Sequence, residues 1–193
     1  MGFPAILLVN GCGDEPSPKT SKPAMATPVV LAILPTVAPV SVSWTTYSDN
    51  DLHFSFDSPI TLDVNKPPVG LLVKTVDLQG QNAEGDFNLR VQAQEVKYAL
   101  DLSQEIDKQI NALKTMGEAL RNLQVATNPV TMGNAPGFLA EGTAHLPGQV
   151  PWEMKLLKVQ KDSTLLDMLI QYSPTEEGRA AANRVLQSLS FPN

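Results

Sequence analysis

Four strand-like segments joined by short turns constrain the fold of this chain more than any other feature of its sequence. They cover residues 123–132, 137–145, 152–160 and 164–172. The residues between the first two and between the last two are typical of turns, at 133–136 and 161–163. Parallel neighbours need a crossover of a dozen or more residues, whereas antiparallel neighbours need only a tight turn. The sequence therefore predicts antiparallel pairing in this half of the chain.

Three further strands are predicted nearer the N-terminus, at residues 52–56, 70–78 and 87–96, with a loop at residues 79–82. The third alternates most clearly, because Phe87, Leu89, Val91 and Ala93 interleave with Asn88, Arg90, Gln92 and Gln94. Side chains of a strand point alternately to its two sides. One side of this strand is therefore predicted to join the core and the other to face solvent.

A helix is predicted between the two groups of strands. Apolar residues recur there at intervals of three and four, at Leu102, Ile106, Ile110, Leu113, Met116 and Leu120. This spacing places them on one stripe of an amphipathic helix. Asp101 or Ser103 can cap its start, and Gly117 either ends it or weakens its last turn.

A second helix is predicted after the last strand. The residues Ser173-Pro174-Thr175-Glu176 have the pattern of a capping box with proline at the first helical position. The helix is expected to stop before Pro192 and to bury Ala181, Ala182, Val185, Leu186 and Leu189. The predicted fold class is therefore α+β, an antiparallel sheet of six or seven strands with two long helices packed on it.

The folded domain is predicted to span residues 44–193, enough chain for one self-sufficient core. The net charge of the chain is −6. All of it belongs to this domain, because the two acidic residues before Trp44 are balanced by Lys19 and Lys22. An acidic domain makes a nucleic-acid partner improbable. The single cysteine, Cys12, excludes an intrachain disulfide and a zinc site built mainly of thiolates.

The N-terminal segment predicts that the protein is located outside the cytoplasm. Residues 1–12 form a short apolar run ending in Gly11-Cys12, which is typical of a bacterial lipoprotein signal whose cysteine receives the lipid. Residues 13–43 contain six of the sixteen prolines and are predicted to form an extended tether. A second targeting signal or a membrane span in residues 24–42 is the alternative. Pro28, Pro35 and Pro39 argue against the span.

Motifs for enzymatic chemistry are missing from the sequence. There is no G-x-S-x-G elbow, no phosphate-cradling glycine loop between a strand and a helix, and no H-E-x-x-H. No enzyme activity and no cofactor are predicted. Asp49, Asp51 and His53, with Asp57 nearby, are weak candidates for a metal site, and a solvated acidic turn is the alternative explanation for them. No metal is therefore predicted.

The polar side of the strand at 87–96 is the candidate binding face. Arg90, Gln92 and Gln94 would present a guanidinium and two amides, which suits a peptide or a small polar ligand. The alternative is an ordinary solvent-facing strand. Lys155, Lys158 and Lys161 do not share one side of their strand, so they are predicted to be plain surface charge.

Several segments resemble the PsbP-like and DcrB-like superfamily. The segment 122–144, NLQVATNPVTMGNAPGFLAEGTA, is similar to its strand, glycine-proline turn and return strand, and 47–59, YSDNDLHFSFDSP, to its first strand. The helices at 102–116 and 176–191 also fall in the expected places. The resemblance implies an α/β/α sandwich, often carried by an envelope lipoprotein. It also implies a role as an extrinsic subunit, an assembly factor or a chaperone rather than as an enzyme.

These observations predict a lipid-anchored, extracytoplasmic, non-enzymatic binding module that meets a protein partner in the cell envelope. A cytoplasmic protein of the same fold, similar to a secretion chaperone, is the alternative if the leader is spurious. A metal-dependent enzyme using the Asp51 and His53 region is a second alternative. The oligomeric state is not predicted.

Overall fold

The computed structural model describes residues 43–66, 73–115, 123–145 and 151–192. These residues form nine strands and two helices. The strands are β1 (Thr45–Asp49), β2 (Phe54–Ser58), β3 (Asp63–Asn65), β4 (Thr75–Gln81), β5 (Phe87–Glu95), β6 (Gln124–Met132), β7 (Ala135–Ala144), β8 (Trp152–Lys161) and β9 (Thr164–Tyr172). The helices are α1 (Leu102–Thr115), between β5 and β6, and α2 (Glu176–Ser188), after β9. The predicted leader, the tether and Cys12 lie outside the described residues.

Seven of the strands form one antiparallel sheet in the order β3-β4-β5-β9-β8-β7-β6, and β1 and β2 form a separate hairpin. The central pair of the sheet, β5 and β9, is joined in register from Phe87↔Tyr172 to Glu95↔Thr164. The predicted antiparallel sheet of six or seven strands is confirmed.

Both faces of the sheet carry a helix, which makes the domain an α/β/α sandwich. The front face packs against the β1–β2 hairpin and α2, and its core is the larger of the two. It includes Phe54, Phe56, Leu78, Leu89, Val91, Leu157, Val159, Leu166, Met168, Ile170, Val185 and Leu186. The back face packs against α1 over β7 and β8. Its core contains Ile106, Ile110, Leu123, Ala140, Ala144, Met154 and Leu156.

Helix α1 begins as predicted, because the Asp101 carboxylate accepts from the backbone N–H groups of Ser103 and Gln104 at 3.2 and 3.3 Å. Leu102, Ile106 and Ile110 are buried on the predicted stripe. The predicted continuation through Met116, Gly117 and Leu120 lies outside the described residues.

The predicted start of α2 is wrong. Thr175, rather than Ser173, is the N-cap, and its hydroxyl accepts from the Gly178 N–H at 3.0 Å. Pro174 therefore precedes the helix instead of opening it. Ser173 still belongs to the end of the sheet, where its backbone N–H donates to the Asp86 carbonyl at 2.8 Å, so the helix begins two residues later. The helix stops before Pro192, and Ala182, Val185, Leu186 and Leu189 are buried as predicted, whereas Ala181 is only partly buried.

The predicted strand boundaries differ most at the N-terminus of the domain. β1 and β3 were not predicted, and β2 begins at Phe54 instead of Leu52 because residues 50–53 form the turn between β1 and β2. β4 extends through Gln81, over residues predicted as a loop, since it pairs with β5 up to Gln81↔Asn88. The predicted start of that strand at residues 70–72 lies outside the described residues.

The turn between β6 and β7 is two residues shorter than predicted, so β7 begins at Ala135 rather than 137. Gly133 and Asn134 have φ values of 53° and 65°. Positive φ at both positions is the requirement of a type I′ hairpin turn, and glycine and asparagine meet it with little strain. Within the described ranges, α1 and α2 are both too short and too polar to cross a bilayer.

Candidate binding surface

The back face of β4 and β5 forms a broad polar surface beside α1. Its side chains are Thr75, Asp77, Gln79, Gln81, Asn88, Arg90, Gln92 and Gln94, and we call this set the amide face. They alternate with buried residues of the front core, such as Leu78 and Val91. The alternation that gives the front core its apolar residues therefore gives the amide face its polar ones.

Arg90, Gln92 and Gln94 lie side by side on this surface and are exposed. Asp77 holds the Arg90 guanidinium through two contacts, Nε to Oδ1 at 3.3 Å and Nη2 to Oδ2 at 3.0 Å. The pair crosses from β5 to β4, so the only cation of the amide face is neutralised by its only anion. The surface can thus bind by hydrogen bonds from amides that both donate and accept. That these residues bind a partner stays a prediction.

Three hollows follow one another across this part of the molecule. A hollow of about 660 Å³ lies over Gln79, Gln81 and Arg90, and one of about 340 Å³ lies over Thr75, Gln92 and Gln94. The third, of about 200 Å³, separates Arg90 and Gln92 from α1. The surface is therefore a shallow trough bounded on one side by a helix, rather than a flat sheet.

A buried ion pair forms the wall of the trough under α1. The Lys158 ammonium contacts the Asp167 carboxylate across the β8–β9 hairpin. Burial raises the pKa of Asp167, against the opposing effect of Lys158. The Gln109 Oε1 atom of α1 is also buried and has no partner among the described residues. This wall places a Lys–Asp pair and an unsatisfied amide oxygen next to the amide face.

The prediction that Lys155 and Lys158 are plain surface charge is wrong, because both side chains are buried. Each is compensated by an acid directly opposite on the neighbouring strand: Lys155 pairs with Glu141 and Lys158 with Asp167. The second pairing was readable from the sequence. A tight turn that places Lys161 opposite Thr164 also places Lys158 opposite Asp167.

The front face has a second concave feature that the sequence did not indicate. A cleft of about 640 Å³ opens at the end of the sheet beside α2, and we call it the charged cleft. Two ion pairs line it, Lys155 with Glu141 and Arg179 with Glu153, the latter with Nε to Oε2 at 2.9 Å. Burial, followed by the nearby charges of Glu153 and Glu141, raises the pKa of Tyr172 to about 12.

The weak metal candidates are engaged in a turn. The buried Asp49 carboxylate accepts from the backbone N–H groups of Asp51 and Leu52 at 2.9 and 3.0 Å and contacts Lys66 Nζ at 2.8 Å. His53 sits in the left-handed region with φ of 52°. No group of three His, Cys, Asp or Glu side chains suited to a metal occurs in the described part of the chain. The arrangement is that of a turn organised by one carboxylate.

Sequence comparison finds no matching family model and no matching curated protein. Structure comparison finds the solution structure of cyanobacterial PsbP (CyanoP) from Synechocystis sp. PCC 6803. Its TM-score is 0.56 at 14% identity, covering 84% of this chain and 99% of that one. LpqN of Mycobacterium tuberculosis, involved in cell envelope biogenesis, gives 0.47 at 13% identity, covering 78% and 91%. A Bacteroides thetaiotaomicron structure also gives 0.47, at 12% identity, covering 77% of this chain and 48% of that one. The CyanoP match confirms a PsbP-like fold, and nothing further is drawn from the other two.

Proposed function

We propose that this chain is a non-enzymatic binding module that holds a protein partner against its amide face. The observation that carries the proposal is the face itself. Eight adjacent polar side chains occupy two neighbouring strands beside a helix, and Arg90, Gln92 and Gln94 are exposed at its centre. Amide side chains contribute to both hollows over this face, Gln92 and Gln94 to one and Gln79 and Gln81 to the other.

The chemistry of the amide face favours a partner with a polar, weakly charged surface. Each glutamine or asparagine offers two donors and one acceptor oxygen, so a partner's backbone or amide groups can be matched in several ways. The Arg90–Asp77 pair already satisfies its own charge. Binding through this face should therefore depend only weakly on salt, because screening acts on unpaired charges.

The proposed setting is the cell envelope, with the lipid on Cys12 as the anchor and residues 13–43 as the tether. The support comes from the sequence: the only cysteine of the chain follows a small residue at the end of an apolar run. The resemblance to a superfamily rich in extrinsic subunits and assembly factors points to the same setting.

Crosslinking from the amide face tests the binding function. A photoreactive residue placed at Gln92 of the full chain should capture a defined partner in an envelope fraction, and one at Gln104 on the exposed side of α1 should not. Arg90→Ala and Gln92→Ala should each reduce capture at least about fivefold, as a central contact does, without moving the thermal transition. Equal capture from Gln92 and Gln104, or unchanged capture in both alanine variants, would refute the amide face as the docking surface.

Fractionation tests the anchor separately. The full chain should partition with membranes and carry added lipid mass at Cys12, whereas Cys12→Ala should be recovered in the soluble extracytoplasmic fraction. An unmodified wild type that stays in the cytoplasm would favour the secretion-chaperone alternative.

A further inference from the structure

The strand β6 forms one edge of the seven-stranded sheet. All nine of its residues pair with β7, from Gln124↔Thr143 to Met132↔Ala135. Among the described residues, no strand lies on its other side. The opposite edge of the sheet, β3, is only three residues long. The two edges therefore differ, because a short edge strand offers few groups for pairing and a long one offers many.

The outward backbone groups of β6 can be assigned from its contact with β7. A Cβ on Gly142 would lie 2.6 Å from the Gln124 carbonyl oxygen, so that carbonyl faces β7. Backbone groups of an antiparallel strand alternate in direction from one residue to the next. Val125, Thr127 and Thr131 therefore turn both their N–H and C=O groups away from the sheet. Pro129 belongs to the same outward row, where its missing N–H breaks no bond to β7.

The strand lacks most of the devices that protect an edge from pairing. Its sequence, QVATNPVTM, contains no charged residue, and its valines and threonines favour an extended conformation. Pro129 is the one interruption, since it cannot donate to an added strand. An incoming strand would consequently find its continuous run of outward donors in the first half of β6, at Val125 and Thr127.

The charged cleft opens onto this same half of β6. Its lining includes Gln124, Val125 and Ala126 together with Glu141 and Lys155 of the next two strands. Ala126 is exposed and pairs directly with Glu141, so only a methyl group stands between the edge and that carboxylate. The Glu141 side chain is 46% exposed and holds Lys155 through Oε1. A side chain arriving from the edge on the front face would meet Glu141 first.

We propose that an extended segment of a partner protein adds to β6 at residues 124–128 as an eighth strand and places a basic side chain against Glu141. Backbone hydrogen bonds to Val125 and Thr127 would supply affinity, and the charged cleft would supply selectivity. A basic segment fits because the domain is acidic as a whole, with a net charge of −6, and because the acidic side chain of Glu141 lies on the strand next to the edge, opposite Ala126 of β6. This docking site lies on the front face and sheet edge, apart from the amide face.

Selection from a random library of displayed nine-residue peptides on the full chain tests the proposal. The enriched peptides should lack a central proline and carry lysine or arginine at one fixed position. Val125→Pro, which removes an outward donor, should weaken their binding at least about tenfold, as should Ala126→Trp, which closes the cleft beside the edge. Thr131→Pro is the matched control. It removes an outward donor from the same strand beyond Pro129 and should leave binding unchanged.

Two readouts keep the outcome decisive if Val125→Pro fails to fold. Bound peptide should slow hydrogen exchange at the Val125 and Thr127 amides of the wild type, and Glu141→Gln should remove the preference for a basic residue. Three results would each overturn the proposal: no enrichment of any peptide, enrichment of acidic or neutral peptides alone, or equal loss of binding in Val125→Pro and Thr131→Pro. None of these results bears on the amide face, because crosslinking from Gln92 is measured independently.

Discussion

At the scale of single residues, Asp49 shows how one carboxylate organises a turn. Burial pushes its pKa upward, but the Lys66 ammonium and the backbone N–H groups of Leu52 and Asp51 outweigh burial, so the pKa of Asp49 lies below its ordinary value of 3.8. A group whose pKa is lower in the folded state stabilises that state at pH values above its unfolded pKa. The stabilisation is lost as the pH falls through the folded pKa.

Asp49→Asn should therefore destabilise the domain at neutral pH and matter less in acid. The amide keeps an acceptor for the turn but loses the ion pair with Lys66, which predicts a loss of about 1 kcal/mol in the free energy of unfolding at pH 7. Urea unfolding of the variant and the wild type, each at pH 7 and pH 3, measures the difference in their free energies of unfolding. A difference that grows toward pH 3 would contradict this account.

Gly137 is a residue whose side chain is excluded by close packing. A Cβ at this position would collide with the carbonyl oxygen of Lys158 and with Val159 Cγ1 on the neighbouring strand. Gly137→Ala should lower the free energy of unfolding by about 1–3 kcal/mol, the usual cost of overpacking. Thr143→Ala, on the same strand and the same face, should change it by no more than about 0.5 kcal/mol. If Gly137→Ala and Thr143→Ala lowered the thermal transition equally, strand β7 would be able to shift enough to accommodate the added methyl group.

The sequence predicted residue environments well where they follow alternation and poorly where they depend on a distant partner. The placement of Arg90, Gln92 and Gln94 on one exposed face needed only the period of two. The burial of Lys155 depends on Glu141, which lies across a strand pair whose register the sequence alone did not fix. The charged cleft was missed for the same reason, since its side chains come from β6, β7, β8, β9 and α2.

At the scale of elements, the start of α2 is the clearest case in which two residues compete for one role. Thr175→Ala should cost about 1 kcal/mol of stability, because it removes the side chain that accepts from the Gly178 N–H. Ser173→Ala should cost less than about 0.5 kcal/mol, because Ser173 contributes its backbone rather than its hydroxyl. Chemical denaturation of both variants measures this. The reverse ranking would restore Ser173 as the cap.

Strand existence was predicted more reliably than strand boundaries. The segments at β8 and β9 were found almost to the residue, because a tight turn and a continuous apolar pattern mark both ends. β1, β3 and the end of β4 were missed, because Thr45, Thr46, Gln79 and Gln81 carry no apolar alternation and β3 is only three residues long. Those residues become strand through pairing with β2 and β5, which is a tertiary effect.

At the scale of the whole molecule, the two cores share one sheet, which predicts a single cooperative unfolding transition. One tryptophan lies on each side of the sheet. Trp44 packs against the front core, with the Arg184 guanidinium 3.9 Å from its ring centroid, and Trp152 lies opposite Ala144, a residue of the back core. Trp152→Phe leaves Trp44 as the only tryptophan, and Trp44→Phe leaves Trp152. The fluorescence of each variant therefore reports on one side of the sheet. Their fluorescence transitions in urea should coincide with each other and with circular dichroism.

Separate transitions in these two proteins would mean that α1 unfolds from the sheet independently.

The fold class and the antiparallel topology followed from the sequence because short turns leave few ways to connect strands. The location of the amide face relative to α1 did not follow, since which half of the sheet a helix covers is decided by packing. Here α1 packs against the apolar residues of β7 and β8 on the back face, such as Ala140 and Leu156. The back face of β4 and β5 is therefore not covered by α1 and carries the amide face.

The β1–β2 hairpin is hydrogen-bonded, through β2, to the residues at the end of α2. Ser55 and Ser190 exchange two backbone hydrogen bonds of 2.9 Å across 135 positions of sequence, and the Asp57 N–H donates to the Ser188 hydroxyl at 2.8 Å. A ribosome makes Ser190 135 positions after Ser55, so the β1–β2 hairpin cannot form these bonds until the sheet and α2 have been synthesised as well.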